Sequence, residues 1–414
     1  MKNVNKARNL QKCMLFYTTG ALLYYFCQWS LSVAIVWISG YEAAGVLSIA
    51  LTVCAAPAIV SLFNVRAFQV SDLKGEYNTR TYTNSRHVTN ILSYLVCICM
   101  TLAGGYNLQK ALVILVYMLY KVAEGTADVY YGIEQRHNRL DLAGISYTLR
   151  GIGTIVPFVI AQILWNNLLL SLSIIMLCSF AVIWFFDIPK CKRMEAELKQ
   201  AFTFDVAAVK NLLVTCIPLA VVAFLNNLSV NLPKITLEDY FGSEVMGYFS
   251  SVTSPSMAVQ LVAMTLFAPL VTPLTEAFMQ KNRAVFSHIM KRFLLLLAAF
   301  AFGCILGAIL LGKIVLILLF GPEIEPYTFL LLPSFLMMIL VAMCSCLFNV
   351  CTLVREIKKQ YFIGMAGILS SAILAFTVVK QFSMIGVIYA QIGTILLQIV
   401  VQVIIIWRKL KKIW

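Results

Sequence analysis

Charged side chains are scarce in this sequence. Asp, Glu, Lys and Arg make up 12% of its 414 residues, whereas 61% are hydrophobic and the mean hydropathy is +0.87. A soluble protein is about 25% charged and about 45–50% apolar, so a water-soluble single domain is excluded. Histidine is nearly missing. His87, His137 and His288 stand far apart, and no CxxC pair occurs among the twelve cysteines. Most of those cysteines lie inside apolar runs (Cys54, Cys97, Cys178, Cys304, Cys344, Cys346 and Cys351 among them). They read as small buried hydrophobes, against a disulfide scaffold, a metal site or redox work. Long polar segments are missing too. The stretches 65–87, 187–210 and 271–290 are too short to fold alone.

Apolar runs fill the rest, at about 14–38, 43–64, 88–104, 109–131, 142–164, 168–186, 211–231, 246–270, 291–312, 327–352, 360–378 and 384–406. A spanning helix takes about 20 residues, and a spanning strand about 10 with alternating polarity. The pattern therefore predicts twelve transmembrane helices. The first run follows Lys2, Lys6, Arg8 and Lys12, like the basic start of a signal peptide. It exceeds the usual 7–15-residue apolar core and lacks a small-residue cleavage site, so it is expected to be a retained span.

Basic residues fix the direction. With the N-terminus in the cytoplasm, 26 of the 32 Lys and Arg fall in inside segments. Lys110, Lys234, Lys313 and Lys380 fall outside, and Lys121 and Arg150 lie within spans. Both termini are then cytoplasmic. The net charge of +14 faces anionic lipid, and nucleic acid is not an expected partner.

The chain also repeats itself. Gly40-Tyr-Glu42-Ala-Ala-Gly45-Val-Leu-Ser48 and Gly242-Ser-Glu244-Val-Met-Gly247-Tyr-Phe-Ser250 share G-x-E-x-x-G-x-x-S at an offset of 202. Both copies enter the membrane from outside. The expected architecture is an all-α polytopic membrane protein of two parallel-repeat six-helix lobes, 1–186 and 211–414, joined by a cytoplasmic linker at 187–210. Paired bundles of this kind suit a transporter that rocks about a site between its halves.

Charge inside the membrane is the most specific signal. Lys121, Glu124 and Asp128 are spaced three and four apart, on one face of the fourth span. Each would cost about 2.5–3.5 kcal/mol at the bilayer centre, so this face is expected to look inward. Arg150 on the fifth span lies at the depth of Glu124, and an ion pair between them is expected. Arg66 lies at the inner end of the second span. Two readings stay open. One is a structural ion-pair cluster. The other is a substrate surface where Arg66, Lys121 and Arg150 attract a diphosphate while Glu124 and Asp128 hold the cations or bind a coupling proton or sodium ion. The second half has no charge deep in a span by this reading, but has Asn226, Asn227, Gln260, Asn349, Gln391, Gln398 and Gln402, read as interhelical hydrogen-bond groups. Pro57, Pro157, Pro218, Pro255 and Pro269 are expected to kink spans. Tyr24, Tyr25 and Trp29 read as core or interfacial belt.

Arg66-Ala-Phe68-Gln69-Val70-Ser71-Asp72 resembles a stretch typical of Wzx-type polysaccharide flippases, of the multidrug/oligosaccharidyl-lipid/polysaccharide exporter superfamily. So does the run Lys121, Glu124, Asp128, Tyr131-Gly132 and Gln135, continuing to Arg139-Leu140-Asp141 and Arg150-Gly151. Gly247-Tyr248-Phe249-Ser250 through Pro255, Gln260 and Pro269 is similar to that family's eighth span. The resemblance implies movement of undecaprenyl-diphosphate-linked oligosaccharide repeat units from the cytoplasmic to the outer leaflet of a bacterial plasma membrane, for O-antigen, capsule or exopolysaccharide. It implies a cationic cavity, membrane lipid and a polysaccharide polymerase as partners, and no enzymatic step. A drug/cation antiporter of the same superfamily would bear an acidic residue in span 1 or 7, and none is there. A membrane glycan polymerase would present a large outer loop, and the outer connections reach only about 15 residues.

Overall fold

Hydrocarbon offers a backbone no partner but itself, so an apolar chain crosses it as helix. The computed structural model describes all residues except 1, 73–74, 200–202, 268–269, 355 and 414. Pro269, and Lys74 and Arg355 of the charge tally, therefore lie outside the described residues. Among the described residues the regular elements are helices. In order they are α1 (Lys2–Leu62), α2 (Val65–Ser71), α3 (Thr79–Ala103), α4 (Leu108–Arg136), α5 (Leu140–Trp165), α6 (Leu168–Val182), α7 (Ile188–Met194) and α8 (Val206–Thr253). Then come α9 (Met257–Phe267), α10 (Val271–Met279), α11 (Arg283–Phe320), α12 (Leu331–Leu353), α13 (Ile357–Leu374) and α14 (Lys380–Ile413). Eight helical stretches are long and apolar enough to cross a membrane, which makes this a multi-pass membrane protein. α4, 29 residues long and carrying Lys121, Glu124 and Asp128, is outside that set.

Three of the eight stretches run 60, 55 and 54 residues. At about 1.5 Å per residue each far exceeds the roughly 30 Å of a hydrocarbon core. Within them the backbone leaves helical geometry at Gly40 in α1, at Gly242 in α8 and at Ser383 in α14. Gly40 (φ 81°, ψ −177°) and Gly242 (φ 85°, ψ 175°) adopt the same left-sided conformation, which a residue with a Cβ resists. The burial pattern from 40 to 50 matches that from 242 to 252 at every position. The sequence repeat is thus a structural repeat. The segment expected as an outer connection at 231–245 is helix, broken only at Gly242, so Lys234 sits within α8. Likewise α11 extends to Phe320, and Pro322–Leu330 continues as 3₁₀ helix.

The chain divides into two compact units, Met1–Phe224 and Leu225–Trp414. In the first, α1 packs hard on α5. A Cβ at Gly20 would lie 2.1 Å from the Gly144 carbonyl oxygen, and one at Gly144 would lie 2.4 Å from that of Phe16, the close approach small residues allow between membrane helices. α6 passes through a π-helical turn, Ile183–Asp187, into α7. Tyr82, Ala123, Ala127, Tyr131, Ala143 and Ile183 form part of one core. In the second unit Phe267, Phe293, Ala342, Cys346 and Val350 pack together. There the amides act between helices: Gln391 Nε2 donates to the Val230 carbonyl (2.7 Å) and Gln398 Nε2 to Asn226 Oδ1 (3.2 Å). Ser371 Oγ donates to the Ser229 carbonyl at 2.6 Å. Leu295, Phe302, Ile309, Leu310 and Leu318 of α11 are exposed, as lipid-facing side chains must be.

Candidate functional site

The charged residues of the first unit converge from four helices. α4 supplies Lys121, Glu124 and Asp128, whose spacing puts them on one stripe. α5 supplies Arg150, α2 supplies Arg66, and α3 adds Arg86. Asp128 holds two guanidinium groups, with Oδ1 3.3 Å from Arg66 Nη1 and Oδ2 2.8 Å from Arg86 Nη2. Arg86 is fully buried and donates its other terminal nitrogen to the Ser61 carbonyl. Arg66 also donates to Gln135 Oε1 at 3.0 Å and to the Tyr17 hydroxyl at 3.5 Å.

Glu124 takes Lys121 as its partner, Nζ to Oε2 at 2.8 Å. Its other oxygen accepts from the Tyr24 hydroxyl, which also meets the Tyr120 hydroxyl at 2.8 Å. The ion pair expected between Glu124 and Arg150 is not formed. Tyr24 stands in its place, with its hydroxyl on Glu124 and its ring 5.8 Å from the Arg150 guanidinium carbon. Arg150 Nη1 donates to the Tyr131 hydroxyl at 3.3 Å. Its Nε and Nη2 are buried without a hydrogen-bond partner among the described residues.

All five expected residues are therefore in one neighbourhood, in two linked clusters. Reading the sequence missed Arg86 and the tyrosines. The apolar-run boundaries leave Arg86 in the polar stretch 65–87, but α3 starts at Thr79, where the Asn78 side chain accepts from the Thr81 N–H. That capping signal would have placed Arg86 two turns inside the helix. Tyr24, read as core or belt, is a site residue whose role depends on what packs across from it. Lys234, in α8 and eight residues before the Gly242 break, corresponds by the repeat offset to Ser32 of the first apolar run. The second unit thus has a cation within a long apolar helix that the run boundaries had set outside.

The stretch 66–72 and Gly132 do local work. Gln69 Nε2 donates to the Val129 carbonyl at 3.1 Å, and a Cβ on Gly132 would fall 2.1 Å from Gln69 Oε1. Asp72 accepts from the N–H groups of Glu76 (2.9 Å) and Tyr77 (3.1 Å) and from the Tyr82 hydroxyl (2.9 Å). Partial burial raises the Asp72 carboxyl, and these donors outweigh it and hold it below the usual range.

Arg66, Lys121, Glu124 and Asp128 keep 18–24% of their side chains exposed, with Arg86 and Arg150 buried behind them. Four cations and two carboxylates leave the group formally positive by two. Tyr17, Tyr24, Tyr120 and Tyr131 border it with hydroxyls and ring faces. Such a face can take an oxyanion through guanidinium forks and can lay sugar rings on aromatics.

Among solved structures, the chain is similar to the lipid II flippase MurJ in an inward closed conformation (12% identity, 96% of this chain and 90% of that one, TM-score 0.73). It is also similar to an inward-facing multidrug resistance MATE family transporter of the MOP superfamily (13% identity, 93% and 94%, TM-score 0.65). These show a shared fold. A capsular polysaccharide biosynthesis protein, CapF, of Staphylococcus aureus is 25% identical over 369 residues, 87% of this chain and 90% of that protein. The family model described as polysaccharide biosynthesis protein matches residues 60–275, just over half of the chain and the part that holds the charged cluster. The chain belongs to the polysaccharide biosynthesis protein family, in agreement with the resemblance its motifs carry.

Proposed function

We propose that this protein is a flippase for undecaprenyl-diphosphate-linked oligosaccharide repeat units. It moves them by alternating access from the cytoplasmic to the outer leaflet of a bacterial plasma membrane, where a polymerase extends them. A diphosphate bearing sugars cannot cross hydrocarbon alone, since each unpaired polar group there costs several kcal/mol. The observation that carries the reading is Arg150. It is a buried guanidinium with two unpartnered N–H-bearing nitrogens, behind a partly exposed face with excess positive charge. In this reading Arg66, Lys121 and Arg150 take the diphosphate, and Glu124 and Asp128 orient those cations or carry a coupling ion.

The topology proposed with it has twelve spans and cytoplasmic termini. The three broken stretches supply two spans each, five others one each, and α4 completes the set. Two six-helix lobes, 1–186 and 211–414, are then parallel repeats joined by 187–210.

The test is leaflet exposure of a labelled lipid-linked saccharide in proteoliposomes. Arg150→Met and Lys121→Met should each slow transfer at least about tenfold, the effect of losing one charge-assisted contact of about 1.5–3 kcal/mol, at equal protein incorporation. Wild-type rates from both variants would refute the site. Drug sensitivity in a deletion strain that still makes normal polysaccharide would favour an antiporter.

A further inference from the structure

Two further acids of the first unit are buried beside that face. Glu134, near the end of α4, and Asp187, the last residue of the π-helical turn, are both 0% exposed. Among the described residues neither carboxyl oxygen of Glu134 has a hydrogen-bond partner, and Asp187 has only the Ser146 hydroxyl near it, beyond good hydrogen-bond geometry. A carboxylate buried in this way is strongly disfavoured as an ion and takes up a proton or a cation instead. A π turn inside an α-helix is uncommon and recurs at functional sites.

The surrounding charges decide how many protons are needed. Asp187 is the charge that acts most strongly on Glu134; Asp141, Arg66 and Arg139 act on it too, and the Cys191 thiol of α7 feels both acids. Neither arginine is spare. Arg66 is held by Asp128, and Arg139 forms a fork with Asp141 at 3.0 Å. Asp187 has Arg150 and the Ser146 hydroxyl beside it from α5, and Tyr130 and Tyr131 from α4. Arg150 is the cation near Asp187 with free donors. Arg80 of α3 faces Tyr130 and Glu195 faces the Cys191 thiol; one negative charge can be met by Arg150, and the other is in no ion pair among the described residues.

We propose that Glu134 and Asp187 form a one-proton site, with the proton on Glu134 and the Asp187 charge facing Arg150. The proton exchanges with cytoplasmic water. The site is joined to the charged face, because Ser146 Oγ lies 3.0 Å from the Tyr131 hydroxyl, which accepts from Arg150. Loss of the proton places a second negative charge where only Arg150 can answer it, and draws that guanidinium away from the face. This last step rests on the flippase reading; the proton site does not.

The experiment is infrared spectroscopy of the full-length protein in lipid nanodiscs, following the carboxylic-acid C=O band with pH. Wild type should show a protonated-carboxyl band at neutral pH that fades in alkali. Glu134→Gln should lose it. Asp187→Asn removes the neighbouring negative charge, so its Glu134 band should fade at lower pH than in wild type. If Glu134→Gln does not accumulate, the Asp187→Asn shift alone carries the test. An unchanged band in the variants would overturn the proposal. So would a sodium-dependent rise in melting temperature that Glu134→Gln lacks, since the site would then hold a metal cation. Flipping assays do not enter these readouts, so transport can fail while the proton site stands, and the reverse.

Discussion

Asp128 ties together one of the two charged clusters. Two guanidinium groups converge on one carboxylate, and one of them, Arg86, is fully buried. Removing one partner of a buried pair leaves an uncompensated charge and costs about 3–5 kcal/mol. Asp128 retains 18% exposure, which lets water screen part of that, so Asp128→Ala should lose about 3 kcal/mol in chemical denaturation of the purified protein. Adding Arg86→Met should recover part of it, because the stranded cation is gone. A melting curve of Asp128→Ala that overlays wild type would remove the cluster's structural role. The acid–base spacing at 121, 124 and 128 was legible in the sequence because helical geometry alone puts those side chains on one face. The partner of each was not. Whether Glu124 meets Arg150 or Tyr24 depends on how α1 lies against α4 and α5, and chain spacing does not encode that distance. Glu134 and Asp187 escaped for the same reason, since burial without a partner is a property of packing.

Helix breaks test the repeat at the next scale. A Cβ added at Gly40 or Gly242 would meet no atom within 4 Å, so the penalty of alanine there is backbone strain alone, about 1–3 kcal/mol. Gly40→Ala and Gly242→Ala should therefore destabilise by similar amounts. Gly303→Ala and Gly307→Ala provide the contrast. Both lie in regular helix in α11, again with nothing within 4 Å, and should stabilise by about 0.5–1 kcal/mol. A neutral Gly40→Ala in thermal unfolding, or equal effects at all four sites, would show that the positive φ is not what selects glycine. The G-x-E-x-x-G-x-x-S motif made the repeat readable from sequence. Helix ends were read poorly, because an apolar run measures contact with hydrocarbon and a helix goes on past it. α3 begins at Thr79 and not at 88, and α11 at Arg283, each behind an asparagine whose side chain caps the first turn.

For the whole molecule, the number of spans and the direction of each are one question. Gly40 and Gly242 can lie on the same side of the membrane only if an even number of crossings separates them. Six spans per half gives a parallel repeat, and an odd number would give an inverted one. The bias of basic residues, 26 against 4 by the boundaries of the apolar runs, predicts the side on which both turns lie. Single cysteines at Glu42, Glu244 and Glu323, all exposed, should accordingly react with a membrane-impermeant maleimide on intact cells, in a background whose native cysteines are replaced by alanine. Cysteines at Glu76, Lys192 and Lys281, also exposed, should react only after the membrane is opened. Labelling of Glu42→Cys and Glu244→Cys from opposite sides would turn the repeat into an inverted one. Labelling of Lys192→Cys on intact cells would reverse the whole orientation, and Arg66 with Asp128 would then open toward the outside, where a substrate made in the cytoplasm could not first reach them.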